Sequence, residues 1–253
     1  MGEILHKQFI ANIAATVLLF NFGYGSLAAV TTTATNTATN KIKNAAAPNV
    51  AMGKTPEVAK SNKNLGEQSQ KPAIDLSEFG HLDPKRLIPD SAIIRAVTYL
   101  KKNIDQFANR TYMAIVDYTK PSSTPRLFIV NLKTGDVEAH LTTHGKGSDP
   151  RNTGLAQRFS NAENSDESSL GFYHTAEVYE GKHGTSLRLD GLSATNSNAR
   201  ARGIVIHAAW YVKEDQDHAG HSEGCIAVDE KERDAVIDKL KDGALIYGWR
   251  GQG

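Results

Sequence analysis

Cysteine is almost missing from this chain of 253 residues: there is one, Cys225. A lone cysteine excludes an intrachain disulfide, so no framework of cross-links holds the fold. Excess charge is missing as well, with 29 Lys and Arg against 28 Asp and Glu. That balance, with no concentrated basic face, argues against nucleic acid or an anionic membrane surface as a partner. No apolar run is long enough for a comfortable membrane-spanning helix. Between Thr31 and Ser77 there is no aromatic residue, and Thr, Asn, Ala and Lys dominate. Such a stretch cannot bury enough apolar area to offset its ordering entropy, so residues 29–77 are expected to form a disordered linker. A hydrophobic content of 40% agrees with a chain that is only partly packed.

What is present begins at the N-terminus. "FIANIAATVLLFNF" (9–22) follows His6 and Lys7, and "GYGSLAAV" comes next, with small residues Ser26 and Ala28 where a signal peptidase reads them. Residues 1–28 therefore read as a secretory signal peptide. Retained instead of cleaved, the segment would act as a transient membrane tether. No cysteine follows the apolar run, which rules out a lipoprotein anchor. Export to the periplasm or cell envelope changes the meaning of Cys225. In an oxidising compartment a lone thiol is a liability unless it is buried, paired between chains, or used.

Patterned sequence starts near residue 78. "SAIIRAVTYLKKNIDQF" places Ile93, Val97, Leu100 and Ile104 on one helical stripe. The period then shortens. Strands are expected at 111–118, 126–132, 137–143, 171–179, 185–192 and 203–212, with "KTGD" turning the second into the third. The polar stretch between Thr143 and Ser169 is too long for a plain connector. Asp229 with Glu232 reads as a capping box for a helix carrying Val236, Ile237 and Leu240, which Gly243 ends before a last strand in "ALIYGW". Residues 78–253 thus read as one mainly β domain with a few helices.

The chemistry gathers at "GHSEGCIAV" (220–228). A free cysteine, with a pKa near about 8.5, is mostly protonated at neutral pH. An adjacent imidazole can take its proton, and the resulting ion pair lowers the thiol pKa. His207, at the end of the apolar run "GIVIHAAWYV", is the candidate base, and Cys225 the nucleophile. Gly224 leaves the Cys225 amide open as an oxyanion donor, and Ser222 is placed to orient an imidazole or meet substrate. Burial of Cys225 as a small hydrophobe is the competing structural reading.

His207, fourteen intervening residues, Ser222, then Gly224 and Cys225 resembles the motif of L,D-transpeptidases of the YkuD type. "SSLGFYHTAEVYEGKHGTSLRLDGL" (168–192) and "GIVIHAAWYV" resemble a divergent branch, the murein L,D-transpeptidase catalytic domain family, over roughly residues 110–250. Two positions depart from the motif: Glu223 replaces its second histidine, and Ala227 its Asn or Arg. The resemblance implies a YkuD-like, β-sheet-rich catalytic domain acting on peptidoglycan stem peptides. Cys225 would acylate at the third residue, release D-alanine, and pass the acyl group to an amine, giving a 3–3 cross-link, or to water, as an L,D-carboxypeptidase does. Neither metal nor cofactor is implied.

Other readings stay open at this stage. His218, His221, Cys225 and His207 are zinc ligand types, and a zinc hydrolase of cell-wall peptides would also be exported. His218 and His221 are expected as exposed loop residues, with His221 lining the cleft. His144 and His183, each before a glycine, read as turn histidines. Arg188 would bind a stem-peptide carboxylate or simply lie exposed, and Tyr173 and Trp210 would line the donor groove or pack. A cell-wall-binding module without turnover is the non-enzymatic alternative.

Overall fold

The computed structural model describes residues 75–251, so the signal peptide and nearly all of the linker read from the sequence lie outside the described residues. Packing reaches back to Leu76, two residues before the expected start of the domain, which rests against the apolar cluster beneath the first helix.

Helix α1 spans Asp90–Lys102, with Asp90 in its first turn and Lys101 and Lys102 in its last, both signs complementing the helix dipole. Its buried residues are Ala92, Ala96, Val97 and Leu100. The stripe is therefore rotated from the expected one, because the two alanines let the helix axis approach the sheet. Ile104 is not in the helix at all. The Asn103 side-chain amide donates to the Tyr99 carbonyl at 2.8 Å, ending α1 ahead of a 3-10 turn at Ile104–Gln106.

Eight strands follow: β1 (Tyr112–Asp117), β2 (Leu127–Asn131), β3 (Val137–His140), β4 (Gly171–Gly181), β5 (Gly184–Gly191), β6 (Val205–Ala208), β7 (Ile226–Val228) and, after helix α2 (Arg233–Leu240), β8 (Leu245–Trp249). They form one mixed sheet in the order β3-β2-β1-β8-β4-β5-β6-β7. The turn between β2 and β3 is the one expected: Asn131 Oδ1 accepts from the amides of Lys133 and Thr134, and Gly135 takes φ +84°. Only β7, three residues long, gives too short a pattern to be read from sequence.

The two edge strands are brought together by the chain leaving β3. The Thr143 amide donates to the Ala227 carbonyl at 3.3 Å, Ser222 N to His144 O at 3.1 Å, and Lys146 N to Ser222 O at 2.8 Å. The sheet thus curls until its edges meet. One face becomes an interior filled by Ala114, Val116, Leu187, Leu189, Ile206 and Ile226, with Val236, Ile237 and Leu240 of α2 packed against them. On the outer face Met113, Ile115, Phe128, Leu245 and Trp249 are covered by α1. Burial on both faces explains why β1, β2 and β8 read as near-continuous apolar runs rather than alternations.

The expected capping box at α2 does not form. The helix starts at Arg233 with Glu232 as N-cap and no side-chain cap bond. Asp229 Oδ1 instead accepts from Lys231 N at 2.8 Å, and the Glu232 carboxylate lies 3.1 Å from His140 Nδ1 on β3.

Candidate active site

Strand β6 delivers His207 and the turn before β7 delivers Cys225. The two strands run parallel with Ile206 opposite Ile226 and His207 opposite Ala227. Ile204, Ile206, Ile226 and Val228 point inside, so strand alternation puts His207 and Cys225 together on the outer face. A diagonal of one strand spacing and two residues separates their Cα atoms by roughly 8 Å. Each side chain covers part of that span.

The turn itself is tightly specified. Gly224 adopts φ +116°, and a Cβ there would sit 2.7 Å from the Glu167 carbonyl oxygen. Of the two roles expected for Ser222, orienting an imidazole or meeting substrate, the first is not seen among the described residues. The Ser222 hydroxyl donates to the Cys225 carbonyl at 2.8 Å and accepts the Gly224 amide at 3.2 Å. The Thr143 hydroxyl also donates to the Cys225 carbonyl, at 3.4 Å. The long polar stretch after Thr143 is therefore an ordered buttress of the turn. Ala227, fully buried, packs with Leu141, Ala209 and Val212, whereas Glu223 projects outward with Lys146 Nζ at 4.0 Å.

Protonation differs from the expected ion pair. His207 Nδ1 lies 2.8 Å from the Ala208 carbonyl. A carbonyl only accepts, so Nδ1 carries the proton and the Nε2 lone pair is left free. Burial pushes the His207 pKa down, with His183 and Lys182 adding to that and the Ala208 bond opposing it. Burial pushes the Cys225 thiol up, against the Val205 amide. Among the described residues no hydrogen bond joins Cys225 to His207, and the thiol faces the Gly203 carbonyl at 3.7 Å. Both shifts favour a neutral thiol and a neutral imidazole.

The other sequence candidates are dispersed. Tyr173 is buried in the interior, its hydroxyl donating to Ser169 O at 2.8 Å; it packs and does not line a groove. Arg188 is neither free nor fully exposed. It pairs with Glu177 at 2.8 Å and lies over the Tyr179 ring at 4.4 Å. His221 turns inward, its Nε2 3.6 Å from Asp149 Oδ2, and does not face the cleft; His218 beside it is half-buried. Trp210 is 69% exposed just beyond β6 and touches Tyr211 edge-on.

Two histidines expected only as turn residues, His183 and His144, make specific contacts. His183 does sit on the turn between β4 and β5, yet its ring stacks on His207 with centroids 4.3 Å apart and planes 25° from parallel. His144 is wholly buried and accepts from Arg126 Nη2 at 2.8 Å. Burial, then the Arg126 charge, pushes its pKa down to about 3. The glycine after each was the only local signal, and it does not distinguish them.

His144, Asp149 and His221 bring potential ligand atoms within 4.8 Å of one another. The tautomer argues against a metal there. With Arg126 donating to Nδ1, neutral His144 carries its proton on Nε2, facing Asp149 Oδ2 at 3.6 Å. It offers a proton rather than a lone pair. Of the zinc set considered from sequence, His221 alone belongs to this group.

The family model described as the L,D-transpeptidase catalytic domain matches residues 85–249. Solved structures similar to the chain include an L,D-transpeptidase from Mycobacterium smegmatis, at 13% identity and TM-score 0.35, covering 55% of this chain and 58% of that one. The helical cell shape determining protein Pgp2 from Campylobacter jejuni matches at 12% identity and TM-score 0.36, covering 58% and 50%. L,D-transpeptidase 3 from Mycobacterium tuberculosis matches at 9% identity and TM-score 0.37, covering 55% and 61%. The chain therefore spans less than two thirds of each of these solved chains. No curated protein sequence matches it.

Proposed function

The chain belongs to the L,D-transpeptidase catalytic domain family, and on that premise we propose that it is an exported cysteine acyltransferase of peptidoglycan stem peptides. The observation that carries this reading is the His207 tautomer. Its Nδ1 proton is committed to the Ala208 carbonyl, and its Nε2 lone pair is left for a thiol on the same sheet face.

In the proposed reaction, Cys225 Sγ attacks the carbonyl of the third stem residue as its proton passes to His207 Nε2. The developing oxyanion is met by the Cys225 amide, which Gly224 leaves approachable. The carbon–nitrogen bond to D-alanine breaks, His207 returns the proton to the departing amine, and a thioester remains. An amine of a neighbouring stem then attacks the thioester, gives its proton to His207, and the thiol is restored as a 3–3 cross-link forms. Water in place of that amine would make the protein an L,D-carboxypeptidase. Neither metal nor cofactor enters the scheme, and the site of action is the periplasm or cell envelope.

Incubation of the full chain with disaccharide-tetrapeptide, read by mass spectrometry beside Cys225→Ala and a chelator control, tests the scheme. Cross-linked dimers that vanish in the variant and persist with chelator are expected. Tripeptide alone would reassign it as a carboxypeptidase, and chelator sensitivity as a zinc hydrolase. Binding without turnover would reduce it to a wall-binding module.

A further inference from the structure

A cleft of about 550 Å³ lies away from Cys225. It opens between α1, the start of β4 and the end of β8, three to four strand spacings from β7, or roughly 14–19 Å across the sheet. Its volume falls within the range of small-ligand sites. Flat aromatic faces form its wall: Tyr99 stacks on Phe172 at 3.9 Å, and Phe172 on Tyr247 at 4.3 Å. Trp249 lies at its base, with a buried indole N–H that has no partner among the described residues. Around the rim stand Arg95, Lys102 and Arg250, all exposed, and among the described residues no carboxylate lines the cleft. Arg95 stands beside the Tyr247 hydroxyl.

Phe172 is sandwiched between Tyr99 and the buried Tyr247, so the half-buried outer ring, Tyr99, is the one that can present a flat face to the apolar side of a sugar ring. Arg95, Lys102 and Arg250, which form no ion pair among the described residues, select for negative charge by complementarity. Resting on the function proposed above, we infer that this cleft binds a carboxylate-bearing glycopeptide, the sugar and stem of a further peptidoglycan strand that is neither donor nor acceptor at Cys225. A concave site under one helix holds a ring and a peptide carboxylate, whereas a membrane surface would require a flat or protruding patch. Binding here holds the protein on the wall while the site at Cys225 exchanges its substrates.

The chain carries a reporter at each place, since Trp249 lines the cleft and Trp210, the other tryptophan, does not. The test uses the full chain with Trp210→Phe and Cys225→Ala, following Trp249 emission during titration with disaccharide-tripeptide, which lacks the terminal D-alanine that Cys225 would release. A saturable change is expected, weakened at least tenfold by Arg95→Glu with Lys102→Glu and also by salt, while a neutral chitin disaccharide leaves the emission unchanged. Both reversed residues are exposed, and an unchanged thermal midpoint verifies the fold. A silent Trp249, a response indifferent to charge reversal, or a response to phosphatidylglycerol vesicles and not to the glycopeptide would each overturn the inference. Turnover by the Cys225-intact protein is measured separately. Turnover beside a silent Trp249 removes this site alone, and charge-dependent binding beside absent turnover removes the acyltransferase reading alone.

Discussion

Cys225 and His207 are shifted in opposite directions by one cause, exclusion from water. Each shift favours the neutral form at pH 7, and in the proposed reaction proton transfer would accompany attack on the substrate instead of preceding it. The sign follows directly. His207 is fully in its base form above its ordinary value of 6.5, so the acid limb of kcat/KM falls below that pH. The thiol ionises above 9.0, its ordinary value, so its alkylation by iodoacetamide should keep rising through pH 9. A plateau near pH 6 would instead reveal a resting ion pair. At Gly224 the backbone conformation admits no other residue comfortably. Gly224→Ala should cost about 1–3 kcal/mol in thermal unfolding, and turnover should fall further than stability because the turn aims the Cys225 amide.

Among the elements, the hairpin of β4 and β5 contributes most beyond packing. Its tip, Lys182 and His183, projects over the outer face and lays an exposed ring on the buried one of His207. His183→Ala should lower kcat while leaving the thermal midpoint nearly unchanged, and His183→Phe, which keeps a flat ring, should restore much of the loss. Equal losses in both variants would mean that the imidazole itself is needed, not the stack. Helix α1 is purely architectural at Leu100, which is 2% exposed. Leu100→Ala should destabilise by about 2–5 kcal/mol in denaturant unfolding without changing the pH profile of turnover. Most elements were legible because their apolar periods are local. Expected strands at 111–118, 126–132 and 185–192 coincide with β1, β2 and β5 to within a residue or two. The stripe of α1 was misjudged because small Ala92 and Ala96, not bulky Ile93, set the contact distance.

For the molecule as a whole, the decisive event is the meeting of the sheet's edges. Thr142 and Thr143 both bond Ala227, joining residues 85 and 84 positions apart. Behind that seam Arg126 is buried, with Nη2 bonded to Thr142 O at 2.9 Å and to His144. Burial draws its pKa down to about 10, a range in which it stays charged at neutral pH. His144, pushed down to about 3, links this seam to acid stability. Its folded pKa lies below its unfolded value, so its contribution is present above pH 6.5 and is lost as pH falls toward 3. On the order of 3 kcal/mol should be lost between pH 7 and pH 4 from this group. Replacing it, as His144→Gln, should flatten that part of the thermal midpoint's pH dependence.

The sequence by itself determined the β-rich class, the family and the buried character of most strands, and it put forward Cys225 and His207 as partners. Those properties rest on residue identities close together or at counted spacings, where alternation and motif order suffice. Only the tertiary structure decided that His183 covers His207, that His144 is buried against Arg126, and that Ser222 ties the turn instead of orienting the base. It likewise turned Tyr173 inward and placed Arg188 against Glu177. Each of these outcomes depends on segments far apart in the chain that touch only once the sheet has curled. No local pattern encodes which glycine-flanked histidine will meet a guanidinium and which will lie on another ring.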